Sequence, residues 1–184
     1  MPYREFDTAD EYERAKNIYN RVKFFCTDSY LEHGEMFLTL RTNESIRHIL
    51  NFDASDFPNG LNICLDTNEA MIELPNLHVS CDVVRENEDE EFELQFACFF
   101  DIDKILSRDK VLKILNDANA NSKSFGLIPD KCVGSIWDET FYSTYAYEIR
   151  PAGNLFTHFE EGLKRVRLLL EQTYANVKTD LKQK

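Results

Sequence analysis

The C-terminal part of the chain carries a long helical pattern of apolar positions. From Thr157 to about residue 180, apolar side chains recur at steps of three or four, which is the spacing of one face of an α-helix. Thr157 and Glu160 have the spacing of a capping box, so the helix is predicted to begin at Thr157. The predicted apolar face consists of Phe159, Leu163, Val166, Leu170, Tyr174, Val177 and Leu181.

This predicted helix would be roughly 35 Å long at ~1.5 Å per residue, which exceeds the usual length in globular proteins. Part of its apolar face is therefore expected to cover a sheet, and part could meet a second chain. The alternative is an ordinary sheet-covering helix with a frayed end.

A shorter helix and a β-hairpin are predicted just before it. Ser107 is expected to accept a backbone N–H bond and open a helix that ends within residues 119–122, ahead of Gly126. Two runs of alternating apolar and polar residues then flank a turn at Asp138-Glu139-Thr140. The residues that share one face of each predicted strand are Val133, Ser135 and Trp137 on the first, and Phe141, Ser143, Tyr145, Tyr147 and Ile149 on the second.

The N-terminal half predicts a helix followed by a β-meander. A capping box at Thr8 and Glu11 opens a helical pattern over about residues 8–25, and residues 44–50 suit a short helix. Alternating patterns mark strands at residues 36–40, 61–65, 72–74, 77–83 and 92–100, with the main sheet over about 60–101. Turn signals lie at residues 57–60 and 66–69, and the acidic run 86–91 suits a solvated hairpin loop.

These elements predict an α+β fold, in which an antiparallel sheet, made of the meander and the C-terminal hairpin, is flanked by helices. The 184 residues contain no repeat or linker, so we expect a single domain over residues 1–184, with a helix-hairpin-helix unit at 107–181.

Charge and cysteine content narrow the functional class. The formal net charge is −12, which argues against binding to nucleic acid or to anionic membranes and allows a basic partner. The five cysteines are odd in number and never closely spaced, so no structural zinc or disulfide is predicted, and a reduced cytoplasmic setting fits. The first residues form no signal peptide, and no window resembles a membrane span.

Candidate catalytic chemistry is sparse. Asp101 and Asp103 at a strand end could hold Mg²⁺, although an acidic turn that opens the helix at Ser107 is the favoured explanation. His33 between two glutamates could be poised by a carboxylate, or could lie in a surface loop. No histidine lies near Cys132 in the sequence to lower its pKa, and no glycine-rich phosphate motif occurs. We therefore predict no catalytic residue, metal or cofactor.

Aromatic side chains are the candidate binding residues. On strands such residues could form a platform for a ligand, or they could belong to the core. The candidates are Trp137, Tyr142, Tyr145, Tyr147 and Tyr174.

The segment Leu115-Asn116-Asp117-Ala118-Asn119, followed by Phe125-Gly126, resembles the LN..N…FG signature of YbjN-like proteins, the bacterial sensory-transduction-regulator family. The resemblance covers about residues 92–180 and includes the β-hairpin and the long helix. It implies a fold similar to that of type III secretion chaperones, pairing as a homodimer, and no catalytic site.

We accordingly expect a non-enzymatic protein-binding module, chaperone-like or regulatory, that captures a polypeptide as a homodimer. Two alternatives stay open at this point: an enzyme whose pocket is assembled from dispersed carboxylates and aromatics, and an accessory component of a phage or secretion assembly.

Overall fold

Four α-helices and an eight-stranded sheet account for most of the residues that the structure describes. The structure is a computed structural model, and it describes residues 9–32, 35–40, 43–53, 61–65, 77–85, 92–130, 133–137, 139–149 and 153–180. The α-helices are α1 (Ala9–Val22), α2 (Asn43–Ile49), α3 (Arg108–Asn121) and α4 (Leu155–Asp180). Short 3₁₀ turns extend α1 (Lys23–Phe25) and α3 (Ser122–Phe125).

The strands form one mixed sheet. They are β1 (Asp28–Glu32), β2 (Glu35–Leu40), β3 (Leu61–Leu65), β4 (Leu77–Arg85), β5 (Phe92–Asp101), β6 (Ile128–Pro129), β7 (Gly134–Trp137) and β8 (Thr140–Ile149). Their order is β1-β2-β3-β4-β5-β8-β6, and β7 also pairs with β8. Every pairing is antiparallel except that of β2 with β3. The predicted α+β class with a mostly antiparallel sheet is confirmed.

The sheet differs from the predicted meander at its N-terminal end. It begins at Asp28 rather than near residue 60, because β1 and β2 add to it ahead of β3. Asp28 and Ser29 by themselves favour a turn rather than a strand. Pairing with β2 overrides that preference, and the Tyr30 ring stacks on Phe37 at 4.6 Å between centroids. Strands β2 and β3 run parallel, with α2 in the connection between them.

One face of the sheet is buried against the helices. Phe96 packs on Phe159 of α4 with 5.9 Å between ring centroids, and the Ser143 hydroxyl donates a 2.7 Å hydrogen bond to Asn119 of α3. Alternate strand residues point the same way, as the period of two predicts. These inward side chains join those of all four helices in one contiguous core. Ile46, Ile49 and Leu50, at the steps of three and four that mark one face of a helix, lie in that core.

Helix α4 begins at Leu155, two residues earlier than predicted. The Asn154 side-chain oxygen accepts hydrogen bonds from the amides of Phe156 and Thr157, so Asn154 rather than Thr157 caps the helix. The amides of Leu155 and Phe156 also donate to the carbonyls of Phe52 and Leu50, at 2.7 and 3.0 Å. The segment after α2 therefore supplies partners for amides that a helix start leaves without intrahelical bonds.

The apolar face of α4 is used within the chain. Phe159, Leu163, Val166, Leu170 and Val177 are buried as predicted. The predicted Leu181 lies outside the described residues, and Tyr174 is half-buried. Burial extends beyond the prediction to Leu155, Gly162, Leu169 and Thr173.

Helix α3 keeps the predicted end but not the predicted cap. It stops at Asn121, and Gly126 adopts the left-handed conformation with φ of 69° that ends the following turn. Ser107 is the N-cap residue with extended backbone, yet its side chain makes no capping hydrogen bond. Instead the Asp103 carboxylate accepts from the amides of Ile105 and Leu106 at 2.7 and 2.6 Å, just before the helix.

We predict that Leu170→Ala lowers the free energy of unfolding by about 2–5 kcal/mol, because Leu170 is fully buried and the truncation leaves a cavity. Arg167→Ala should cost well under about 1 kcal/mol, since its 2.9 Å ion pair with Glu171 is partly exposed. Denaturant melts of the two variants test this, and equal midpoints would show that the inward face of α4 is wrongly assigned.

Candidate functional site

The aromatic residues proposed to bind a partner lie in different places. Tyr145 is fully buried beneath the helices, and Tyr147, on the same sheet face, is half-buried with the Arg165 guanidinium 5.1 Å from its ring centroid. Tyr142 points to the opposite face of the sheet. Tyr174 lies on α4 beside α3. For Trp137 the structure describes the backbone, paired with Thr140, and not the side chain.

Tyr145 belongs to the core rather than to a binding surface. Its hydroxyl is buried, and that burial, with the neighbouring Cys98, raises the pKa of Tyr145 well above its usual range. A fully buried ring cannot meet a partner in the folded chain. The core interpretation of the aromatic pattern is therefore the correct one for Tyr145.

The face of the sheet opposite the helices, which we call the open face, is left uncovered over the described strands. Every described side chain on it is half-buried or exposed, whereas the described inward side chains of β4 and β5 are buried. Antiparallel sheets tolerate such one-sided exposure. The open face crosses all the strands from β1 to β8.

The centre of the open face is small and uncharged, and aromatic rings border it. In register across β2, β3, β4, β5 and β8 runs a row of Thr39, Cys64, Ser80, Ala97 and Thr144. On one side of this row Phe99 and Tyr142 pair with 5.8 Å between ring centroids. On the other side, at the β1 edge, lie the stacked rings of Tyr30 and Phe37.

Tyr142 also explains why β7 contains a glycine. A Cβ atom added at Gly134 would overlap the Tyr142 ring, so the ring lies directly against the β7 backbone. Such an aromatic ring over a strand glycine fixes the register of the pair. Tyr142 is thereby held in place on the open face.

The charged side chains of the open face are acidic. Glu93 and Glu148 are directly opposite each other in the β5–β8 register, and Asp28, Asp82 and Asp101 lie elsewhere on the same face. Like charges directly opposite on neighbouring strands are destabilising. Gln95 donates a 3.4 Å hydrogen bond to Glu93, and neither glutamate has a cationic partner among the described residues.

A second surface feature is a groove between α3 and α4, with a volume of about 280 Å³. Its floor is apolar, and Ile105 at its border is 60% exposed. Lys110 from α3 and Lys178 from α4 provide its charged groups. The groove is lined by Ile105, Leu106, Lys110, Ile114, Tyr174, Val177 and Lys178.

The proposed acidic pair at the end of β5 has structural roles. Asp101 accepts a 2.7 Å hydrogen bond from Thr140 and so ties β5 to β8. Asp103 organises the turn before α3, as the alternative interpretation predicted. No group of three or more metal-ligating side chains occurs within the described residues. His33 and Cys132 lie outside them.

Sequence reasoning missed Phe99, Tyr30, Phe37 and the two groove lysines. Phe99 carries a readable signal, because in the strongly alternating β5 pattern it occupies the polar phase next to the inward Phe96, Cys98 and Phe100. The lysines carry none, since Lys110 and Lys178 meet through tertiary packing alone.

Comparisons of the chain with protein-family models, curated proteins and solved structures found no match. The resemblance to YbjN-like proteins therefore stays a prediction. Among the described residues no helix combines the length and apolar character needed to cross a bilayer.

Burial of the Cys98 thiol makes the free energy of unfolding depend on pH. Burial raises the pKa of Cys98 to about 12, against ~8.5 for a free thiol. Between these values the folded state holds a proton that the unfolded state has lost, so the free energy of unfolding falls as pH rises. Between about pH 8 and about pH 10, the free energy of unfolding should fall by about 2 kcal/mol more in the native chain than in Cys98→Ala. Urea melts of both proteins at the two pH values measure this, and parallel losses would contradict it.

Proposed function

We propose that this chain is a non-enzymatic module that binds a polypeptide partner on the open face of its sheet. The observation that carries the proposal is the uncovered face itself, with a small uncharged centre, aromatic borders and acidic side chains around them. Aromatic residues and few charges at the centre are typical of protein-binding surfaces.

The dimensions of the open face suit a macromolecular partner. Five strands at ~4.8 Å spacing, each with about seven residues at ~3.4 Å per residue, give the open face an area of roughly 600 Å². A standard protein interface buries ~800 Å² on each partner. The open face thus supplies most of one such interface, and the small central row lets a partner's side chains approach the sheet backbone.

The charge of the open face favours a basic partner. Glu93 and Glu148 have no Lys or Arg partner on the described part of that face. A partner with Lys or Arg around an apolar centre would neutralise Glu93 and Glu148, and complementary charge also speeds association. A second copy placed on the same face would bring acidic side chains together, so self-pairing there is disfavoured.

We also propose that the module works as a homodimer in the cytoplasm with a chaperone-like or regulatory role. The family resemblance and the cysteine content support this part of the proposal. The apolar stripe of α4 no longer supports it, because that stripe is buried within the chain as far as Val177.

Selection of random-sequence peptides on the full chain tests the open face. We expect one class of enriched peptides to combine apolar and basic residues. Thr144→Arg, at the centre of the open face, should abolish their binding, whereas Leu168→Arg, on the outward side of α4 and 46% exposed in the native chain, should preserve it. Equal binding by the two variants would overturn the assignment of the site.

We predict that Glu148→Lys has opposite effects on stability and binding. It replaces a like-charged pair with Glu93 by an opposite pair, so the free energy of unfolding should rise by about 0.2–1 kcal/mol. Affinity for the selected basic peptides should fall several-fold. Denaturant melts and fluorescence anisotropy measure the two effects.

Glu139→Lys is the matched control, because it changes the net charge equally at an exposed turn. If it reproduces both effects, net charge rather than the Glu93–Glu148 pair is responsible.

We predict a dimer at micromolar concentration. Sedimentation equilibrium should give twice the chain mass of 21.6 kDa. A mass of one chain throughout a wide dilution series would contradict the homodimer and leave the open-face proposal standing.

A further inference from the structure

The groove between α3 and α4 has a charge opposite to that of the chain as a whole. The chain has a formal net charge of −12, yet both charged residues that line the groove are lysines. One comes from each helix, so both walls carry an ammonium group. Within the described residues neither Lys110 nor Lys178 is paired with a carboxylate.

Lys110 is poorly placed for helix stability. It lies in the first turn of α3, where the helix dipole is positive and disfavours a cation. Its ammonium donates a 3.3 Å hydrogen bond to the carbonyl of Ile105, which holds it at the border of the groove. Asp109 in the same turn complements the dipole, whereas the Ser107 side chain makes no capping bond. The Asp103 carboxylate accepts from the amides of Ile105 and Leu106 beside the groove, so a partner carboxylate here would be attracted by the Lys110 ammonium rather than by the helix end.

Lys178 stands on the other wall, with its ammonium 5.8 Å from the Tyr174 ring centroid. In the last turn of α4 it also complements the dipole of its own helix. Lys178 by itself therefore indicates no binding site. Its position opposite Lys110 across an apolar floor does.

The size of the groove favours side chains of a polypeptide over a complete small molecule. Its volume of about 280 Å³ lies just below the ~300 Å³ at which pockets for drug-sized ligands begin. Leu106, Ile114 and Val177 form a buried floor, while Ile105 is exposed beside it. Grooves between helices bind amphipathic peptides through a few apolar anchors.

We propose that the α3–α4 groove binds an acidic, amphipathic polypeptide segment, with apolar side chains on the floor and carboxylates at Lys110 and Lys178. This site is separate from the open face and has the opposite charge preference. It would let one chain hold a basic and an acidic segment at the same time.

Two fluorescent helical peptides of about 18 residues, or about five turns, test the proposal. Both carry Leu at positions i, i+3, i+4 and i+7; one has Glu at the flanking positions and the other has Lys. Anisotropy with the full chain should show binding of the Glu peptide that weakens as salt is raised. The Lys110→Glu/Lys178→Glu double variant should lose at least about tenfold in affinity for it.

Two control variants distinguish binding in the groove from binding elsewhere on the chain. Lys164→Glu, exposed on α4 about 15 Å along the helix from Tyr174 at ~1.5 Å per residue, should leave binding of the Glu peptide nearly unchanged. Thr144→Arg on the open face should also leave it unchanged, even if it abolishes capture of basic peptides.

Several results would overturn the proposal. Preference for the Lys peptide, or equal losses in the Lys164→Glu and double variants, would remove the charge argument. Binding of dodecanoate in the groove without binding of the Glu peptide would show that the groove binds a fatty-acid carboxylate instead of a polypeptide. A change of oligomeric state in the double variant, measured by sedimentation, would assign the groove to a second copy of the chain.

Discussion

The close packing of α4 on the centre of the sheet is the contact on which the rest of the fold depends. Gly162 permits it, because a Cβ atom there would lie 2.7 Å from the Phe96 ring and 3.0 Å from Tyr147. With no side chain at that point, the helix approaches β5 and β8 closely enough to bury Phe159 and Val166. Burial of this layer contributes hydrophobic free energy to folding. At the start of the same helix, Asn154 accepts from the Phe156 amide and donates to Asn51 in the segment after α2.

Because the described helices lie on one side, the other side of the described strands is left uncovered. Its described side chains include small, aromatic and acidic residues, and the acidic pair Glu93 and Glu148 is arranged against stability. Sites that reduce the stability of the isolated protein are expected where selection acts on function instead. On the same strands, the core residues are therefore selected for burial and stability, and the residues of the proposed binding face are not.

The sequence predicts those parts of this fold that local periodicity decides. The inward faces of α4, α2 and β8 follow from spacing alone, because burying one face of a helix or strand leaves a period in the sequence. The parallel pairing of β2 with β3 and the Asn154 cap leave no such period, since they depend on residues brought together by tertiary packing. The candidate site divides in the same way: the aromatic residues are visible in sequence, but which sheet face Tyr142 and Tyr145 occupy relative to the helices is decided by the fold.

Net charge describes this molecule poorly at the scale of a binding site. With a Debye length of ~8 Å at physiological ionic strength, a partner responds to the charges within about one such length of its contact. The open face presents carboxylates, while the α3–α4 groove presents two ammonium groups. The overall value of −12 therefore predicts solubility and disfavours polyanionic partners for the open face, but it does not apply to the groove. Two lysines on adjoining helices thus give the groove a local charge opposite to the average charge of the chain.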